Sequence, residues 1–334
     1  MILLLGASGY IGRAFASELR RRGHSFIPLT RRAFDYTRFD FLFDYLRTMK
    51  PLFLINAASY SGTTSTSADA QHGEREKMMA ANAILPQMIA RICLMTKTPW
   101  GHVSSGDIYS GSKVLENGVL RTETDLSRPD LRQLFERDPA RFHGYTELDE
   151  PNFSFHNSPS NFYSGTRALA EEAIRELGQI YLWRPRLLFN ERDEPCNFLH
   201  RLQQQARIYD HIDSISHLED FVKAALDLWE RRAPFGPYNV INPGAVTTRQ
   251  LVEGLQRVKP HWRGRLRPPE EDPGRTASIA PQPHCILDAA KLLKAGVKMR
   301  PVSEAVKDSL ERLRLASRRG KGPDAQSSCS PTPP

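Results

Sequence analysis

Apolar positions follow two rhythms along this chain: short unbroken runs, and longer stretches where large side chains recur every three or four residues. The unbroken runs cover residues 1–5, 25–30, 51–56, 100–105 and 180–184, and predict strands buried on both faces. The helical spacing follows Gly12 (Ala14, Phe15, Leu19), fills 37–50 (Phe39, Phe43, Leu46) and returns at 161–177. It also predicts a long helix over 73–96, carrying Met78, Ala81, Ile84, Met88 and Ile92, with Pro86 expected to kink it. Strands alternating with helices predict an α/β fold with a doubly wound parallel sheet. Residues 106–160 hold many Pro, Gly and charged residues without a clear period and read as loops. Beyond 187 the rhythm changes: a short helix over 196–206, an amphipathic one over 217–232, a strand over 238–242 and a helix over 248–258. From Ser317 to Pro334 large apolar residues almost vanish, and disorder is expected.

The first apolar run ends in glycines at 6, 9 and 12. A buried strand turning sharply into a helix aims backbone N–H groups and the positive end of the helix dipole at one point, where a diphosphate can rest. Gly6 would permit the turn, Gly9 the close approach of phosphates and Gly12 the packing of helix on strand. Gly6, Ser8, Gly9, Tyr10, Ile11 and Gly12 are therefore the expected cradle of a dinucleotide cofactor. The second strand ends in Arg31-Arg32, where a site selective for NAD usually carries a carboxylate. Arginine suits a 2′-phosphate, so NADP is expected over NAD, with a solvated basic turn as the plain alternative.

Bulk properties narrow the partners. The chain has 334 residues, 40% hydrophobic and 25% charged, with a net charge of +8. No Lys/Arg run exceeds three residues and no nucleic-acid motif occurs, so attraction of anionic phosphates explains the basic balance without a nucleic-acid partner. Cys93, Cys196, Cys285 and Cys329 are too scattered for a zinc site or a disulfide framework, which fits a reduced, cytoplasmic setting. The opening apolar run is too short for a signal peptide or a membrane span, and no membrane partner is expected.

Two later segments add chemistry. Ser104 and Ser105 end the strand over 100–105, at the carboxyl edge where ligands of open α/β sheets bind. Tyr163 and Arg167 sit four apart at the start of the next helix, on one face, so the cation can ease ionisation of the phenol. Such a phenol can protonate the oxygen formed when hydride reaches a carbonyl carbon, while a serine hydroxyl holds it.

With these segments in place, the chain resembles the extended short-chain dehydrogenase/reductases, and among them the dTDP-4-dehydrorhamnose reductases and nucleotide-rhamnose synthase epimerase/reductases. The resemblance spans roughly residues 1–312. It is carried by Gly6-Ala-Ser-Gly-Tyr-Ile-Gly12, Ile55-Asn-Ala-Ala58, Val103-Ser-Ser-Gly-Asp-Ile-Tyr109, the segment from Asn161 to Glu172, Pro195-Cys-Asn-Phe198, Tyr238-Asn-Val-Ile-Asn-Pro-Gly244 and Cys285-Ile-Leu-Asp288. It implies a Rossmann domain over 1–186 and a substrate-binding region over 187–316 interleaved with the last strands, with a tail over 317–334. It further implies Tyr163 as acid, Ser105 as the hydroxyl that also touches substrate, Asp35 near the adenine, Ala57 and Ala58 against the cofactor, and Asn197 on the substrate side. Asp35 and Asn197 could equally act only as helix caps.

The family has lysine where this chain has Arg167, and commonly glycine where it has Ser59. The expected activity is NAD(P)-dependent reduction of a nucleotide-diphosphate-linked 4-keto-6-deoxy sugar. Two readings remain open beside it: an epimerase or dehydratase on the same scaffold, for which Asp107 supplies one carboxylate, and a non-catalytic, cofactor-binding regulatory subunit, because of Arg167. A homodimer is allowed for, and no His/Asp/Glu spacing points to a metal.

Overall fold

The computed structural model describes residues 1–61, 68–157, 160–267 and 282–319. Its first half alternates β1 (Ile2–Leu5), α1 (Tyr10–Arg21), β2 (Phe26–Leu29), α2 (Phe39–Met49) and β3 (Phe53–Asn56), then α3 (Ala68–Met79), α4 (Leu85–Thr96) and β4 (Trp100–Val103). A small antiparallel unit follows: β5 (Ser112–Glu116), β6 (Val119–Glu123), α5 (Pro129–Arg137) and β7 (Phe142–His143). The chain returns through α6 (Phe162–Ile174) and β8 (Ile180–Arg184), then α7 (Phe198–Gln204), β9 (Ile212–Asp213), α8 (Leu218–Glu230) and β10 (Gly236–Asn239). It closes with β11 (Val246–Thr247), α9 (Thr248–Val258), α10 (Ala290–Lys294) and α11 (Val302–Arg319).

The main sheet has six parallel strands in the order β10-β8-β4-β3-β1-β2. Successive residues of each strand point to opposite faces. Ile2, Leu4, Phe53, Ile55, Tyr181 and Trp183 pack with Phe15 and Leu19 of α1 and Phe221, Val222 and Ala225 of α8. Leu3, Leu5, Leu54, Trp100, Ile180 and Leu182 pack with Leu42 and Leu46 of α2, Ile89 and Ile92 of α4 and Ile174 of α6. With both faces covered, no strand can afford the apolar/polar alternation of a half-exposed sheet, and the unbroken runs follow. The sheet is doubly wound, as its sequence rhythm predicts. Because β1 lies between β2 and β3, the winding reverses there and leaves a crevice at the carboxyl ends of β1 and β3.

Three expectations change. Residues 106–160 are not all loop: β5 pairs antiparallel with β6 and β7, and α5 buries Leu131 and Phe135. The strands escaped notice because Val119–Arg121 are exposed, so β6 shows no periodic burial. The helix expected over 73–96 begins at Ala68 and is broken upstream of Pro86, by a π turn at Ala80–Ile84. Pro86 sits in the first turn of α4, where its missing N–H does little harm, and the wider turn before it relieves the ring. The stretch His72–Thr96 is long and apolar enough to cross a membrane, but half of it is buried within the fold. Finally, α11 continues to Arg319, so the tail expected from 317 begins as helix; residues 320–334 lie outside the described residues.

Gly101 in β4 lets Trp183 lie flat across the neighbouring strand; a Cβ there would come within 2.0 Å of the indole. The indole in turn stacks on Phe15 of α1 at 5.7 Å between ring centroids. Gly101→Ala is expected to overpack this layer and to lower stability by about 1–3 kcal/mol. Urea denaturation would show a lower midpoint with an unchanged slope.

Candidate active site

The crevice between β1 and β3 is lined by bare backbone. Gly6 has φ +74°, and a Cβ on it would lie 2.6 Å from the Ala58 nitrogen; on Gly12 it would lie 2.1 Å from the Gly6 carbonyl oxygen. Gly9 is the N-cap of α1 and has no side-chain cap, so no side-chain hydroxyl or carboxylate occupies the first-turn N–H groups. These features fit a diphosphate and leave no room for larger residues at positions 6 and 12. Ser8 is exposed, and its carbonyl accepts from Arg13 Nη1 at 2.9 Å, while Nη2 of the same arginine pairs with Glu194. Ile11 packs on the core. Burial pushes the Tyr10 hydroxyl well above the ordinary phenol range, helped by Glu219 and Glu194.

Ala57 and Ala58 follow β3 directly, and the Ala58 N–H donates to Asn56 Oδ1 at 3.1 Å. Arg31 and Arg32 are exposed just past β2, on the same edge. Asp35 is exposed too, and its carboxylate accepts from the backbone and hydroxyl of Thr37. That is local turn chemistry, which leaves the carboxylate at the surface beside Arg31.

The second half of the site joins β4 to α6. Ser105 is buried, and its Oγ accepts from the Asp107 N–H at 3.2 Å, so its own proton remains to donate. Asn161 caps α6, its side chain accepting from the Ser164 N–H, and starts the helix just before Tyr163. Tyr163 is half-buried. The Arg167 guanidinium lies 5.1 Å from the centre of the Tyr163 ring. Arg167 is 2% exposed; Nη1 donates to the Val103 carbonyl at 3.2 Å and Nη2 to Ser59 Oγ. Helix α6 is thus tied to the last residue of β4, two positions before Ser105. Burial, with the charge of Arg167, holds the His102 imidazole down to about 3, so a neutral ring lies beneath this cation.

Buried ion pairs fix the surroundings. Glu171 of α6 accepts from Ser104 and takes a fork of bonds from Arg184, which also reaches the Tyr109 hydroxyl at 3.0 Å. Arg186, also past β8, bonds Asp107 on one side and Asp213, at 2.7 Å, on the other. Asp213 also meets His284 Nδ1 at 2.7 Å. Sequence reasoning did not find these partners, because each pair joins different elements, 13 to 79 residues apart, with no local spacing rule to link them. The only advance signal was arginine within an otherwise apolar strand end.

Asn197 is placed away from any open surface. It is 1% exposed, caps α7 through the Leu199 N–H, and donates to the carbonyls of Asn190 and Arg192. It shapes the loop that carries Glu194. Cys93, Cys196 and Cys285 are free, and Cys329 lies outside the described residues.

No sequence spacing pointed to a metal, yet three potential ligand residues from separate segments meet in the fold. Ligand atoms of Glu191, His217 and Glu219 lie within 4.8 Å of one another. Glu191 comes from the loop after β8, a separation that no local spacing rule detects. Arg300 Nη2 lies 3.3 Å from His217 Nδ1, and His217 Nε2, 3.6 Å from Glu219, has no hydrogen-bond partner among the described residues.

Residues 1–315 match the RmlD substrate-binding domain family. The chain belongs to that family. Among curated relatives, a trifunctional UDP-glucose 4,6-dehydratase/UDP-4-keto-6-deoxy-D-glucose 3,5-epimerase/UDP-4-keto-L-rhamnose-reductase of Arabidopsis thaliana is 23% identical over 310 residues, 92% of this chain. The match spans 41% of that protein's length. A dTDP-4-dehydrorhamnose reductase of Aggregatibacter actinomycetemcomitans is 30% identical over 129 residues, 38% of this chain and 41% of that one. The fold is that of the UDP-rhamnose synthase of Acanthamoeba polyphaga mimivirus, with a TM-score of 0.74 at 17% identity over 93% of this chain and 98% of that one. It is also that of a dTDP-4-dehydrorhamnose reductase of Bacillus anthracis solved with NADP, with a TM-score of 0.66 at 18% identity over 94% of this chain and 97% of that one.

Against the burial that would raise it, His284 and Arg186 hold the Asp213 carboxyl down to about 2. A depressed carboxylate adds stability above its unfolded pKa and loses it as pH falls through the folded value. Asp213→Asn, which leaves Arg186 buried with one charge fewer, is expected to lower stability by about 3–5 kcal/mol near neutral pH. Urea midpoints of the two proteins should stay well apart from pH 8 to pH 5 and converge as pH drops below about 4.

Proposed function

We propose that this chain is an NADP-dependent reductase of a nucleotide-diphosphate-linked 4-keto-6-deoxy sugar. The observation that carries it is the junction of α6 with β4: a phenol under a buried guanidinium, on a helix bonded to the strand end that leads to Ser105. Both lie beside a glycine cradle shaped for a diphosphate. A bound nicotinamide supplies the hydride. Tyr163 gives its hydroxyl proton to the oxygen of the sugar's carbonyl, and Ser105, with its lone pair engaged by Asp107, donates a hydrogen bond to the same oxygen. Arg167 keeps a permanent positive charge over the ring of the phenol. Arg31 and Arg32 offer planar donors to a 2′-phosphate, and their loss would shift preference toward NAD.

Residues beyond 187 would hold the sugar nucleotide, with Asn197 acting through the loop it shapes. A cytoplasmic setting and a homodimer belong to the same reading. Asp107 is tied to Arg186, which favours a fixed carboxylate there over the mobile proton carrier that a dehydratase needs. A second reading, a cofactor-binding subunit without turnover, is favoured by one fact: two Arg167 nitrogens already have protein acceptors.

Purified protein mixed with NADPH and a dTDP- or UDP-linked 4-keto-6-deoxyhexose should lose reduced-nicotinamide absorbance. Tyr163→Phe is expected to lower kcat by about 10²–10⁴-fold while NADPH affinity stays close to wild type. Tight NADPH binding with no oxidation by either sugar nucleotide would defeat the reductase reading in favour of the subunit.

A further inference from the structure

Ser59 follows Ala57-Ala58 on the carboxyl side of β3 and is exposed. Its hydroxyl oxygen accepts from Nη2 of the buried Arg167, so the hydroxyl proton is left to donate. An alcohol whose lone pair is engaged by a guanidinium is a stronger donor than a free one. Both partners are held. Arg167 is anchored by Nη1 on the Val103 carbonyl, and Nε is buried with no partner among the described residues.

The chain beside Ser59 is pinned from the other side. The Tyr60 N–H donates to Asn82 Oδ1 at 2.9 Å, and Asn82 Nδ2 donates back to the Tyr60 carbonyl at 2.7 Å. Asn82 belongs to the π turn, is fully buried, and also lies 3.5 Å from Thr166 Oγ1, next to Arg167. The irregular turn therefore positions Ser59 relative to Arg167 on either side of the crevice.

We propose that Ser59 is a cofactor-binding residue: its hydroxyl, fixed and polarised by Arg167, donates to an oxygen of the ribose on the nicotinamide side. The diphosphate cradle lies at Gly6–Gly12 and Tyr163 marks the reacting end, so the crevice between them is where that ribose must pass. The assignment rests on the reductase reading only for which cofactor is bound; it concerns affinity, not turnover. Arg167 itself is buried, with its Nη groups directed to Ser59 and the Val103 carbonyl, whereas Ser59 is exposed.

The test is NADPH titration of the full chain by nicotinamide fluorescence, with Ser59→Ala, Ser59→Thr, Arg167→Lys and the Ser59→Ala/Arg167→Lys double variant. Ser59→Ala should weaken binding about 10-fold, while Ser59→Thr, which keeps a hydroxyl, stays within about twofold of wild type. In the Arg167→Lys background, adding Ser59→Ala should change affinity by less than about threefold, since the fork that polarises the hydroxyl is gone. Ser59→Ala binding like wild type, or Ser59→Thr losing as much as Ser59→Ala, would overturn the proposal. So would additive losses in the double variant. Wild-type protein that binds NADPH but reduces no sugar nucleotide would sink the reductase reading while leaving the affinity series decisive. Wild-type protein that binds no nicotinamide cofactor would overturn both.

Discussion

Helix α1 can descend onto the sheet only as far as position 12 allows. With hydrogen in place of a side chain there, the helix touches the Gly6 carbonyl, and Gly6 in turn lies against the backbone of Ala58. Three segments from separate parts of the chain thus meet with no side chain between them. This contact fixes the distance between the amino end of α1 and the carboxyl end of β3, and so the width of the crevice. It also holds Phe15 over Trp183 and places Ala57-Ala58-Ser59 opposite Arg167. The same glycines that set the spacing of helix and sheet also leave the crevice lined by backbone.

The other side of the crevice depends on arginine. Arg167, Arg184 and Arg186 are all buried, and each connects the end of one parallel strand to another segment. Arg167 links α6 with β4 and with the segment after β3; Arg184 links β8 with α6; Arg186 links β8 with the turn after β4 and with β9. Such charges are expensive to bury unless every partner is present. Their placement stiffens the carboxyl edge of the sheet. It also explains why arginine can stand at 167: Ser59 and the Val103 carbonyl give its planar fork acceptors that a point charge would not require.

Much of the fold was legible because the main sheet is covered on both sides. Ile180–Arg184 and Thr248–Val258 have the bounds their patterns predict, the latter because Thr247 and Gln250 form a capping box that fixes the helix start. The antiparallel unit of β5, β6 and β7 was not legible, since one of its strands is largely exposed and leaves no periodic trace. The glycine cradle and the Tyr163–Arg167 pair could be read because their members are close in sequence. Ser59, Asn82, Asp213 and Glu171 could not, because what they do is decided by partners far along the chain. Asn197 shows the converse: a residue in a local motif that caps α7, with its amide directed into its own loop.

The placement of β1 has a consequence for how the chain reaches this shape. Strand β1 lies one place in from the edge strand β2, and its other neighbour, β3, is separated from it by α1, β2 and α2. Sheet assembly therefore has to wait for distant pairings, and β1, with no polar residue to protect it, stays a sticky segment until then. A chain of this design should pair β1 with β2 early and complete the crevice between β1 and β3 later, once the more distant strand has joined.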